Sequence, residues 1–276
     1  MLFRSVNQSK PFEFTGVDTA GPVYYRVGKS RVKRKGHILI LTCATTRAFA
    51  FEFITGLSVE EVMLGLRRFF ANHGLPREIR SDNAKSFKRT QKELNIVSKS
   101  IKMRKYLDEH RIKWVRYLER APWWGGYIER GVQTAKRALH RIMGNAVLDA
   151  LEYTTILYEI AALINSRPIT TVYDGDGVAE PVSPSMLLRG RSMIHIPPLY
   201  ETTVDGKEPH ICRGRLRYLE KLKTYFWYRW VKEYLADLRE IHARRKVGHK
   251  LRQPVVGELV LVRNEKLSRE IGRAHV

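Results

Sequence analysis

Apolar and polar side chains alternate from Phe12 to Val17, and His37 to Ile54 is dense in β-branched and aromatic residues, so the chain opens with three predicted strands. A loop, Arg26 to Lys35, joins the first two, and a short turn near Thr45 to Arg47 joins the last two. Ser58 with Glu61 three residues on is a capping-box signature, behind which Val59, Val62, Met63, Leu66, Phe69 and Phe70 recur at helical spacing. Gly74 and Pro76 stop that helix. A short strand, Glu78 to Arg80, is followed by two weaker helical stretches, about Lys85 to Val97 and Lys102 to His110, and by a strand from Ile112 to Leu118. Ile128 to Met143 and Asp149 to Ser166 read as two further amphipathic helices. A meander followed by alternating strands and helices predicts an α/β domain with a mixed sheet.

The pattern changes after Pro168. Residues 169–209, rich in Pro, Gly and Asp, read as an irregular connection, and Arg217 to Lys246 as one long basic and aromatic helix. The alternating run Val255 to Arg263 suggests the start of a small, truncated β-barrel. The layout is thus a lead-in (1–11), a core domain (12–168), a connecting segment (169–216) and a basic C-terminal region (217–276). Residues 270–276, EIGRAHV, read as an artefactual tail of the kind a translated sequencing adapter leaves, and carry no fold argument.

Charge narrows the choice of partner. Against 28 Asp and Glu stand 50 Lys and Arg, a formal +22, which points to an acidic polymer, nucleic acid first and an anionic membrane surface second. The first ten residues lack a signal-peptide core and no apolar run approaches the length of a membrane span, so an intracellular protein with no membrane partner is expected. Cys43 and Cys212 are expected to be free thiols, since two cysteines in unlike contexts give neither a disulfide framework nor a paired metal site. Six of the ten residues from Arg26 to Lys35 are basic, and Lys33, Arg34 and Lys35 are candidates for DNA contact on what is otherwise a solvated loop.

Three acidic residues stand where metal-dependent phosphoryl chemistry would want them. Asp18 closes the first predicted strand in FTGVDTAGP, Asp82 follows the short strand in REIRSDNAKSF, and Glu129 lies in the first turn of the helix expected after APWWGG. Carboxylates on stiff elements supply hard oxygen ligands while leaving coordination positions for water and phosphate. Taken singly, each has an ordinary reading: Asp is a common turn former, and Glu is common at the positive end of a helix. On the helical wheel Ile128, Val132, Ala135, Leu139 and Ile142 form an apolar stripe. Glu129, Gln133, Lys136 and His140 form a polar stripe, and Arg130, Arg137 and Arg141 a basic one.

Read in order, GVDTAGP, RSDNAKSF, RAPWWGGYIERGVQTAKRAL, INSRPIT and PVSPSMLLRGR, spread from about Phe12 to Arg191, resemble the integrase core of retroviruses and, more closely, of Bel/Pao-type LTR retrotransposons. The resemblance implies a ribonuclease H-like fold with a five-stranded mixed sheet. It also implies an Asp, Asp, Glu triad, here Asp18, Asp82 and Glu129, holding two Mg²⁺ or Mn²⁺ ions. The activity implied is 3′-end processing and DNA strand transfer, with Gln133 and Lys136 approaching the element's DNA end. Partners implied are element ends, target DNA and further copies of the chain, with a nuclear location during integration. The family's zinc-binding N-terminal domain of paired His and Cys is expected to be missing, since only His210 and Cys212 stand close together, in another region. Glu119 competes for the third position by residue count, but it lies in YLERAP directly before a Pro turn, which favours Glu129. A catalytically inactive, integrase-derived DNA-binding protein and a nuclease of the same fold are the competing readings.

Overall fold

Ile38, Leu39, Ile40 and Leu41 are all 0% exposed, which a strand achieves only when both faces of its sheet are covered. They lie in the second strand of the computed structural model, which describes residues 9–28, 32–81, 94, 96–116, 122–143, 146, 148–173, 179–190 and 215–245. Strands β1 (Phe14–Arg26), β2 (Lys33–Cys43) and β3 (Phe49–Ile54) form an antiparallel meander. β4 (Glu78–Ser81) and β5 (Lys113–Arg116) extend it in parallel, giving the order β3-β2-β1-β4-β5. A two-residue strand, β6 (Leu148–Asp149), pairs with the far end of β1.

Helices α1 (Val59–His73), α2 (Ile101–Glu109), α3 (Pro122–Met143) and α4 (Ala150–Asn165) are interleaved with and follow these strands. On α1, a Cβ at Gly65 would lie 2.8 Å from both Leu39 and Ile54, so glycine permits close approach to one sheet face. On α3, Gly131 faces Phe49, whose alternation with Ala50 puts it on the other face. This mixed five-stranded sheet flanked by helices is the ribonuclease H-like arrangement expected from the sequence.

Local signals explain most element ends. The capping box forms as read: Glu61 N–H donates to Ser58 Oγ (3.3 Å) and Ser58 N–H to Glu61 Oε2 (3.2 Å). Gly74, at φ 84°, ends α1 with its N–H on the Phe70 carbonyl. The turn between β2 and β3 is anchored by Cys43, a buried free thiol whose sulfur accepts N–H bonds from Phe12 (3.1 Å) and Thr46 (3.3 Å). Glu52, on β3, is 2% exposed and accepts from Arg68 of α1 (Nε, 2.7 Å) and Tyr158 of α4 (2.8 Å), so one carboxylate joins two helices across the sheet edge.

Several boundaries differ from the sequence reading. β1 does not stop near Val17; it runs through Asp18 and Gly21-Pro22 to Arg26. The Gly-Pro pair makes a bulge: Ala20 pairs with Ile38 and Val23 with Gly36, leaving Gly21 and Pro22 opposite His37 alone. At a bulge the N–H that proline lacks is not needed by the ladder. Asp18 is therefore a mid-strand residue. Lys33, Arg34 and Lys35, expected in a loop, are exposed strand residues at the start of β2. Helix α3 begins at Pro122, whose fixed φ suits a first helical position, and it includes Gly125 and Gly126, each tolerable at about 1 kcal/mol in a long amphipathic helix.

The chain separates into two compact units, residues 1–161 and 162–276. Within the second, the segment expected to be irregular contains a hairpin, β7 (Thr170–Tyr173) with β8 (Ala179–Val182), and a short helix, α5 (Pro184–Arg189), capped by Ser183 and closed by Gly190 at φ 68°. The long helix α6 (Arg215–Arg245) forms as expected. Its buried face carries Leu219, Leu222, Phe226, Trp227 and Trp230, with Phe226, Trp230 and Tyr234 stacked at successive turns and an ion pair, Lys223 to Glu220 (2.6 Å), among them. The expected barrel segment and Cys212 lie outside the described residues. Among the described residues no helix is long and apolar enough to cross a membrane.

Candidate active site

Strand alternation puts Gly16, Asp18 and Ala20 on one face of β1, and Asp18 meets α3 there. The helix comes close because the residues it turns to the sheet are small: Ala135 and Ala138 are 0% exposed, Thr134 1%, and a Cβ at Gly131 would stand 3.2 Å from the Phe49 ring. Lys136, next to Ala135, reaches the sheet and pairs its ammonium with Asp18 Oδ2. The other oxygen, Oδ1, accepts the backbone N–H of Thr19 at 2.7 Å. Both side chains are largely enclosed, 18% exposed for Asp18 and 13% for Lys136. A partly desolvated carboxylate is thus held by one backbone donor and one lysine ammonium.

Beside Asp18 runs β4, in parallel register, Val17 against Ser81. Ser81 is 1% exposed, and its hydroxyl accepts from Trp114 Nε1 of β5 at 2.9 Å, which fixes the end of β4. The preceding Arg80 pairs with Glu78 and lies over the Phe14 ring, 5.6 Å from its centroid. Asp82, the next residue of the chain, lies outside the described residues, as does Glu119.

Glu129 belongs to α3, but in its third turn rather than its first, because the helix starts at Pro122. Its side chain and that of Arg130 lie outside the described part. Glu129 precedes Lys136 by two turns, about 10 Å along the axis, on one stripe of the helix. Gln133, Arg137, His140 and Arg141 are exposed, and Arg137 also donates to Thr134 Oγ1 at 3.1 Å.

Lys33, Arg34 and Lys35 are not brought to Asp18. Arg34 pairs with Tyr25, seven residues along β1 and on the order of 23 Å away at ~3.3 Å per residue. Arg34 and Lys35 instead line an open groove of ≈ 720 Å³ with Tyr25, Arg26, Glu61 and Asp149. Among the described residues no cluster of three His, Cys, Asp or Glu could hold a metal ion.

The feature the sequence reading missed is the contact between Lys136 and Asp18. A signal for it was present: Lys136 is the one Lys on the Glu129 stripe and directly follows a core alanine.

A family of unknown function (DUF5641) matches residues 214–272. No curated protein matches the chain. Among solved structures, a chain of a simian T-cell lymphotropic virus intasome in complex with a PP2A regulatory subunit is similar at 13% identity and TM-score 0.43, with 71% of this chain covered. The match spans 59% of that chain's length. The catalytic core domain of HTLV-2 integrase in complex with magnesium is similar at 13% identity and TM-score 0.41, covering 65% of this chain and 98% of that one. The catalytic core domain of BIV integrase is similar at 12% identity and TM-score 0.40, covering 58% and 87%.

Proposed function

We propose that this chain is the catalytic part of an integrase of a Bel/Pao-type LTR retrotransposon, a metal-dependent polynucleotidyl transferase that trims the element's 3′ ends and joins them to target DNA. The observation that carries the reading is the parallel register of Val17 with Ser81: Asp18 follows the first on β1, and Asp82 follows the second in the sequence. The helix bearing Glu129 packs on the face that Asp18 occupies. The donor chemistry fits divalent cations, since a hard carboxylate on a rigid strand, already attracting an ammonium, offers what Mg²⁺ or Mn²⁺ requires. Asp18, Asp82 and Glu129 would hold two such ions. When bound, the ions stabilise both the attacking and the leaving oxygen of an in-line displacement at phosphorus.

The protein's own groups do the positioning. The Thr19 N–H keeps the Asp18 carboxylate turned toward α3. Gln133, one turn beyond Glu129 and exposed, is set to hydrogen-bond the DNA end, while Arg130, Arg137 and Arg141 neutralise its phosphates. Lys33, Arg34 and Lys35 supply a second, distant set of phosphate contacts. One phosphodiester replaces another in the joining step, so no nucleotide cofactor is needed. The enzyme would act as an oligomer on nuclear DNA.

Incubation with oligonucleotides mimicking element ends, in Mg²⁺ or Mn²⁺, tests this. The reading expects shortened and joined products, both lost in Asp18→Asn, with DNA affinity retained and falling steeply with salt. Shortened product without joining would make the chain a nuclease; binding with neither product would make it an inactive DNA-binding derivative.

A further inference from the structure

The ammonium of Lys136 pairs with Oδ2 of Asp18, a carboxylate that the metal-site reading gives to a divalent ion. A divalent ion held by the same carboxylate would meet a second positive charge in a partly desolvated site. We infer that Lys136 is an internal counter-cation of the active site that is exchanged for the metal: it holds the Asp18 carboxylate in the metal-free protein and is released to solvent and DNA phosphate when the ion enters. This rests on the metal-site reading above.

Three features equip Lys136 for the exchange. Its ammonium ends a flexible four-carbon stem, so the head moves without the helix. Its neighbours on α3, Gln133, Arg137 and His140, are exposed, so an outward swing meets solvent. The Thr19 N–H bonds the other oxygen, Oδ1, and so keeps the carboxylate oriented throughout. The exchange also gives an order of events: the lysine becomes available to phosphate only in the loaded site, so metal and DNA binding reinforce each other.

The test is Mn²⁺ binding to the full chain without DNA, read as free Mn²⁺ by electron paramagnetic resonance. Parent, Lys136→Met, Lys136→Gln, Arg137→Met and Asp18→Asn are compared, each checked for folding by circular dichroism. A paired carboxylate is accessible to metal for only a fraction of the time, and apparent affinity falls by that fraction. Removing Lys136 should therefore tighten Mn²⁺ binding about tenfold. Arg137→Met, which removes an equal charge one residue along, should change it little, and Asp18→Asn should abolish it. Equal affinity in the parent and both Lys136 variants, with Asp18 still required, would overturn the exchange alone. An equal gain in Arg137→Met would do so too, by reducing the effect to general charge. Absence of Asp18-dependent binding in every form would overturn the exchange together with the metal-site reading.

Discussion

Truncating Arg68 should destabilise the protein more than truncating Glu52, although Glu52 is the buried member of the pair. The Glu52 side chain is 2% exposed and Arg68 44%. Glu52→Ala removes a charge-assisted bond from Arg68 and an ordinary one from Tyr158, but both donors reach water, since Tyr158 is itself 40% exposed. With that screening the cost is about 2–3 kcal/mol. Arg68→Ala instead strands a carboxylate that water cannot reach, which costs about 3–5 kcal/mol, and it also removes the donor to the Phe53 carbonyl (2.6 Å). The double variant has no orphaned charge and should be close to Glu52→Ala, so the two changes should be non-additive by about the whole Arg68→Ala loss, roughly 3–5 kcal/mol. Urea unfolding of the parent, both single variants and the double variant, followed by circular dichroism, measures all four corners of the cycle. Additive losses, or a larger loss in Glu52→Ala than in Arg68→Ala, would refute the reasoning.

Burial, followed by the bond to Glu52, raises the Tyr158 phenol to about 12. A group raised on folding stabilises fully below its unfolded value near 10, so that contribution should vanish as pH climbs through about 12. Difference titration of tyrosinate absorbance against Tyr158→Phe reads it, and Glu52→Ala should move the titration down. Gly65→Ala should cost about 1–3 kcal/mol despite its better helix propensity, because its Cβ would press on Leu39 and Ile54; a thermal melt equal to the parent's would count against the packing argument. Ser58→Ala should cost about 1 kcal/mol through loss of the cap, seen as a lower urea midpoint with an unchanged slope.

The sequence was most legible where one local signal decides an element. The capping box, the Gly74 stop and the 3.6-residue spacing together delimit α1, and β-branched and aromatic density marks β2 and β3. It was least legible where tertiary pairing overrules a local signal. Gly21-Pro22 has the chemistry of a turn, yet pairing with β2 on both sides carries β1 through it as a bulge. Pro122 and the two glycines behind it read as a loop, yet they are the opening turns of α3. The helix α5 had a Ser cap, a Pro at its first position and a closing Gly, but at six residues it is too short for periodicity to register. At the candidate site, the elements bearing Asp18 and Glu129 could be named from sequence. Their approach could not, because the small residues of α3 set its distance from the sheet only once β3 supplies Phe49 beneath it.

Cys43 has a practical consequence for anyone attaching probes to this protein. Site-specific labelling begins from a background stripped of native thiols, and here one native sulfur accepts two backbone N–H groups, from Phe12 and Thr46, in a place sealed from water. Alanine would leave both donors without an acceptor, a loss of about 1–3 kcal/mol each. Serine keeps an acceptor there, at the expense of a shorter reach. The choice made at this position decides whether the strip of chain leading into β1 and the turn leaving β2 stay tied to one atom, and so whether a dye elsewhere reports on the native protein.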